Sequence, residues 1–196
     1  FDELQLLKQA HPEKTLYAVI GDVGASGAYY IAAAADYIYA DKASTVGSIG
    51  VIGSGFGFDQ LIAKLGVERR TYAAGGNKDF LDPFLPEKAQ QKEMFQGLLD
   101  QIHQQFISQV ELGRGDRLIR HEDLYSGAVW NGARALELGL IDGLGSLHTV
   151  ARDQAGGANM IWYSPEKTPL EAVMDELGAQ TKTAITWGLN PTLVIQ

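Results

Sequence analysis

The chain has 196 residues, 45% of them hydrophobic and 20% charged, which is long enough and apolar enough for one domain with a sizeable core. Its formal net charge of −8 speaks against a nucleic-acid-binding surface, which needs clustered Lys and Arg. With no cysteine and four scattered histidines (His11, His103, His121, His148), a disulfide framework, a Cys nucleophile and a zinc site have no support, and no cofactor is implied.

Residues 2–10 have helical spacing of Leu4 and Leu7, and Pro12 ends that helix. Thr15–Ile20 is a short apolar run of strand formers. Gly21–Gly27 is a glycine-dense turn, and Ala28–Ala35, small and apolar, reads as a buried helix. Tyr37–Ala40 and Val46–Ile52 read as strands, Asp59–Leu65 as a helix stopped by Gly66, and Val67–Tyr72 as another strand. Ala73–Pro86 is a loop that carries Lys78.

A long helix follows, with Pro86 near its start. Phe95, Leu98 or Leu99, Ile102, Phe106 and Val110 form one apolar face, and Gly113 is its expected end. Asn131 or Gly132 opens a helix through Leu138, closed by Gly139, and Ser146 caps another through Ala155. Met160–Tyr163 reads as a strand and Thr168–Glu171 as a capping box, while 179–196 have no strong pattern. Strands alternating with helices imply an α/β fold with mainly parallel pairing.

No stretch reaches the roughly 18–20 apolar residues of a membrane span, and no signal peptide opens the chain. Phe1 in place of Met, followed at once by a helix, reads as a piece of a longer precursor.

The chemical signal is Gly21-Asp-Val-Gly-Ala-Ser-Gly-Ala-Tyr-Tyr30, a strand running through a tight turn into a helix. Ser26 stands at the helix start, where backbone N–H groups are unpaired, and the Gly27 N–H is the first candidate oxyanion donor. The G-x-S-x-G elbow is not matched, because position 28 is alanine. The bare pattern also admits Ser26 as a simple helix cap. A nucleophilic serine needs a base. No histidine lies in a suggestive motif, so lysine is the alternative. Only about one lysine in 2,500 is neutral at pH 7, so the base must sit in a dry, apolar setting. Lys78, near Phe80, Leu81, Pro83 and Phe84, has the expected neighbours, provided that Asp79 points elsewhere.

Three ordered motifs resemble the signal peptide peptidase A family, the SppA and SohB type of Ser/Lys peptidases. They are Val23-Gly-Ala-Ser-Gly-Ala-Tyr-Tyr-Ile-Ala32 with Asp36 following, Val46-Gly-Ser-Ile-Gly-Val51, and Ala74-Gly-Gly-Asn-Lys-Asp79. Ser26 and Lys78 stand 52 residues apart, as in the short, single-domain members. Gly113-Arg-Gly115 and Val129–Gly143 are weaker matches. The resemblance covers roughly residues 1–155, the expected peptidase domain, with 156–196 an extension. Gly24 and Ala28 depart from the family's usual Ala and Gly.

The resemblance implies a ClpP/crotonase-like spiral of βαβ units. The N-terminal part of that domain is expected to be missing, together with an upstream Ser-Pro-Gly-Gly loop that supplies a second oxyanion donor. It implies Ser26 as nucleophile, Lys78 as general base and Ser48 as the residue that orients the lysine amine. It also implies ring-shaped homo-oligomers, tetramer to octamer, in which the serine and lysine of one site can come from neighbouring subunits. The implied substrates are hydrophobic signal-peptide remnants. The implied location is the bacterial inner membrane, with the parent anchored there and the catalytic part on the periplasmic or extracytoplasmic side. Such substrates suit strand addition along Val51–Phe58, with Phe56 and Phe58 as contacts. A crotonase-type acyl-CoA enzyme and an inactive scaffold of the same fold are the competing functions.

Overall fold

The computed structural model describes residues 1–157 together with Met160, Ile161 and Tyr163. The chain divides into two units, Phe1–Ala158 and Asn159–Gln196, and the architecture here is that of the first.

The first unit is α/β. Helix α1 (Asp2–Ala10) has Asp2 and Glu3 in its first turn and Lys8 in its last, charges that suit the helix dipole. The chain then runs β1 (Tyr17–Ile20), β2 (Val23–Ala25), α2 (Gly27–Ala32), β3 (Tyr37–Ala40), β4 (Thr45–Gly47) and α3 (Asp59–Lys64). Helix α4 (Ala89–Arg114) follows, then β5 (Val129–Asn131), α5 (Gly132–Glu137), β6 (Gly143–Leu144) and α6 (Leu147–Asp153). Ser146 and Thr149 form a reciprocal capping box at the start of α6. Asn131 Oδ1 caps α5 by accepting from the Arg134 N–H.

The first four strands go alternately to two sheets. One sheet has the order β1-β3-β6 and the other β2-β4-β5. Pairing is parallel except for β4 with β5. The strand–strand–helix unit β1-β2-α2 is followed by β3-β4-α3, each strand lying beside its counterpart one unit later. This repeat is the spiral expected from the resemblance.

The core sits between the sheets and the helices. Ala32, Ala33, Ala34 and Ala35 let α2 and the turn after it lie close, and Ile38, Val46, Ile49, Val110 and Leu140 fill the interior. Tyr29 is fully buried, and its hydroxyl donates to the Leu140 carbonyl at 2.7 Å, which fixes α2 against the loop before β6.

Several expectations are corrected. The turn over 21–27 contains a strand, β2, too short and glycine-rich to read from periodicity, and β5 and β6 are equally short. The strand expected over Val46–Ile52 stops at Gly47, where Ser48 turns to a positive φ of 52°. Val67–Tyr72 forms no strand: all six residues are exposed, and Arg69 and Arg70 pair with Asp82 and Glu68 instead. Gly113 does not end α4; a side chain there would strike the Ala33 carbonyl, and the helix runs on to Gly115. Met160, Ile161 and Tyr163 are in no strand. Trp162, the 168–171 capping box and 179–196 lie outside the described residues.

A buried ion pair locks α4 to the first sheet. Arg114, 1% exposed, donates from both terminal nitrogens to Asp142 at 2.7 and 2.9 Å, and Arg117 adds a third bond at 3.0 Å. The same carboxylate accepts the Ile38 N–H at 2.7 Å. Burial alone would raise the Asp142 pKa; the Arg114 bonds, the Ile38 amide and the two guanidinium charges outweigh it and hold the carboxyl below its ordinary value. Its contribution to stability is therefore complete above the unfolded carboxyl's pKa of about 3.9 and is lost as the pH falls through the lower native value. Asp142→Asn leaves Arg114 buried without a counter-charge. It is expected to cost about 3–5 kcal/mol, read as a lower urea midpoint with an unchanged slope.

Candidate active site

Strands β2 and β4 end side by side. Ala25 pairs with Gly47, and the Ser26 N–H donates to the Gly47 carbonyl at 2.8 Å, so the register carried one step further sets Ser26 beside Ser48. Both turn into the left-handed region, Ser26 with φ 53° and Ser48 with φ 52°. Among the described residues only one other non-glycine residue does so, Leu81 in the lysine loop. A side chain held in such a conformation costs about 1–3 kcal/mol, and such strain gathers at functional sites.

Ser26, with φ 53° and ψ −126°, forms the strand-to-helix corner. It occupies the cap position of α2, but its hydroxyl makes no capping bond, so the simple helix-cap reading fails. The hydroxyl is half-buried and has no hydrogen-bond partner among the described residues. The exposed Gly27 follows at once, and its N–H has no backbone acceptor there. Ser48, also half-buried, donates its N–H to the Ala128 carbonyl at 2.8 Å. The corner thus presents two hydroxyls and a free amide.

Lys78 is not hydrogen-bonded to Ser26. It is exposed, as is the whole of residues 71–78, and its amine makes no hydrogen bond or ion pair among the described residues. The dry setting expected around it is absent within the single chain. The reason lies in its apolar neighbours: Phe80 packs edge-on against Phe95 at 5.9 Å, and Phe84 packs against Phe58 at 5.6 Å. They dock the loop and leave the amine in solvent. Asp79 does point away, to Lys88 and Gln91.

Helix α4 touches both the segment after Ser48 and the lysine loop. His103 Nε2 lies 3.2 Å from the Ile49 carbonyl, next to Ser48. Two turns earlier, Gly53 lies so close to the Phe95 ring that no side chain would fit. The lysine loop rests on that same ring, eight residues or about 12 Å along the axis from His103.

Between these anchors 49–53 runs alongside α4. Val51–Gly57 makes no backbone hydrogen bond among the described residues, so its N–H and C=O groups are free. Phe56 is 80% exposed, whereas Phe58 is half-buried between Phe56 and Phe84, and Val51 is half-buried. A cleft of about 540 Å³ opens between 53–57 and the lysine loop, with Phe56, Leu81, Pro83 and Phe95 among its walls. Sequence reasoning missed this cleft and also Gln91, a polar residue that is only 5% exposed. Gln91 carries no local signal, since it matters only through a residue twelve positions earlier.

Peptidase family S49 matches residues 8–160. A Brucella abortus (strain 2308) protein named Na(+)/H(+) antiporter NhaA is 49% identical over 144 residues, covering 74% of this chain and 20% of that protein. The chloroplastic serine protease SPPA of Arabidopsis thaliana is 34% identical over 189 residues, covering 90% of this chain and 27% of that protein. The chain thus spans between a fifth and about a quarter of the length of these relatives. An enoyl-CoA hydratase/isomerase family structure from Silicibacter pomeroyi aligns with a TM-score of 0.42 at 18% identity, over 96% of this chain and 64% of that one, a likeness too slight to bear on the chemistry.

The strain at Ser26 is measurable. Ser26→Gly, which accepts a positive φ, is expected to be about 1 kcal/mol more stable than Ser26→Ala, which does not. Equal thermal midpoints for the two variants would contradict the strained corner.

Proposed function

The chain belongs to peptidase family S49, and from that premise we propose that it is the catalytic part of a serine endopeptidase with Ser26 as nucleophile and Lys78 as base. The observation that carries the reading is the left-handed corner at Ser26, whose hydroxyl is free and whose neighbouring amide is free. A neutral Lys78 amine takes the Ser26 proton as the oxygen attacks the peptide carbonyl carbon. The Gly27 N–H donates to the oxyanion, a contact of a kind typically worth about 3 kcal/mol. The ammonium then returns the proton to the departing amine, and water, activated by the same lysine, releases the acyl group from Ser26. Ser48 accepts from the lysine amine and aims it.

Within the chain the Lys78 amine is exposed to solvent and makes no hydrogen bond to Ser26. The reading therefore places the working pair across an interface between copies, in a ring-shaped homo-oligomer, where the neighbouring subunit excludes water from the amine. Apolar, extended peptides, among them remnant signal peptides at the outward side of a bacterial inner membrane, add as a strand along the free backbone of Val51–Gly57. A non-catalytic scaffold is the second reading, favoured by one observation, the exposure of Lys78.

In the full-length protein, a fluorescent fluorophosphonate is expected to label the wild type, not to label Ser26→Ala, and to label Lys78→Ala at least about 100-fold more slowly. Co-assembled Ser26→Ala and Lys78→Ala subunits should regain activity at about a quarter of the sites, the statistical yield of a ring with shared interfaces. Absence of labelling in the wild type favours the scaffold.

Phe56→Asp is expected to lower kcat/KM on apolar peptides about tenfold, because it removes an exposed apolar contact while leaving probe labelling of Ser26 unchanged. Unchanged cleavage would take Phe56 out of the substrate path.

A further inference from the structure

Two carboxylates follow Lys78 in its loop, Asp79 and Asp82, yet neither bonds its amine. Asp79 Oδ1 accepts from Gln91 Nε2 at 2.8 Å, and Oδ2 accepts from Lys88 Nζ at 2.5 Å. Asp82 accepts from the Phe84 N–H at 3.0 Å and forms an ion pair with Arg69, also at 3.0 Å. Gln91 is almost fully buried on α4, so its amide is a fixed donor rather than a surface group that could turn to water. The bonds from Lys88 and then Gln91 hold the Asp79 carboxyl below its ordinary pKa, so it stays ionised while it is engaged there.

We infer that Asp79 is a positioning residue for Lys78: its bonds to Lys88 and Gln91 pin the lysine loop to α4 and keep the nearest negative charge off the lysine amine. The inference rests on the reading of Lys78 as the base. A carboxylate adjacent in sequence is the natural partner for an ammonium, and an amine so paired keeps its proton. Gln91 on α4 and Lys88, at the helix's N-cap position, take that carboxylate away. The loop is also held by Phe80 on Phe95, by Phe84 on Phe58 and by Asn77 Nδ2 against Met94 Sδ at 3.8 Å. None of these uses the Lys78 amine. The base is thus held by its neighbours and left without a counter-ion.

Two measurements on the full-length protein test this. Lys88→Met combined with Gln91→Leu frees the Asp79 carboxylate. The acidic limb of the kcat/KM profile is then expected to move up by about one pH unit, and adding Asp79→Asn should bring it back. A merely structural role would lower the thermal midpoint and leave the limb in place, so an unmoved limb overturns the inference. The second measurement does not depend on activity. Limited trypsin digestion is expected to cut after Lys78 about tenfold faster in Gln91→Leu, which leaves the cleavage sequence intact, than in the wild type, because the loop opens more often. An equal rate overturns the pinning, whether or not the altered pair folds. If Lys78→Ala keeps full activity, the Ser/Lys reading fails, while the digestion still decides what Asp79 holds.

Discussion

The left-handed backbone at Ser26 exists because the chain is held on both sides of it. On one side the Ser26 N–H extends the β2–β4 ladder to Gly47. On the other, Tyr29 fixes the following helix through its bond to the Leu140 carbonyl. An isolated turn would relax to an easier conformation. Here the sheet and the helix over-determine the corner, and the serine hydroxyl is left outward with nothing to cap. The same logic repeats at Ser48, the counterpart of Ser26 in the next unit of the spiral, where a bond to the Ala128 carbonyl follows β4. One local device, used twice, turns the chain at matching ends of two paired strands.

Much of this was legible in the sequence because the signals are local. The period of Phe95, Ile102, Phe106 and Val110 announces α4, and the runs at 17–20 and 37–40 announce their strands. The glycine turn announces the corner. What was not legible depends on contacts between distant segments. Three-residue strands such as β2 and β5 have no period to read; they are strands only because a neighbour offers a ladder. Val67–Tyr72 has the composition of a strand but lacks that neighbour among the described residues. Gly113 looks like a stop signal and is instead a point of close approach between α4 and the end of α2.

The candidate base shows the same limit more sharply. Phe80, Leu81 and Phe84 suggest a dry pocket around Lys78 when read along the chain. In space, the two phenylalanine rings belong to Phe95 and Phe58. Apolar composition near a lysine therefore says that its loop is docked, not that its amine is buried. Under the proposed Ser/Lys reading, desolvation comes from outside the chain, and the chemistry and the assembly then become one problem.

Helix α4 turns that problem into one of measured length. It carries the Ile49 contact at His103 and the lysine loop at Phe95, with the Gln91 bond to Asp79 one turn further back. Each residue inserted between those anchors would shift one relative to the other by about 1.5 Å and swing it by about 100° around the axis. A single insertion would leave both loops folded and facing different ways. The segment from Phe95 to His103 is thus a spacer with a fixed phase, and a relative that keeps both loops must also keep its residue count.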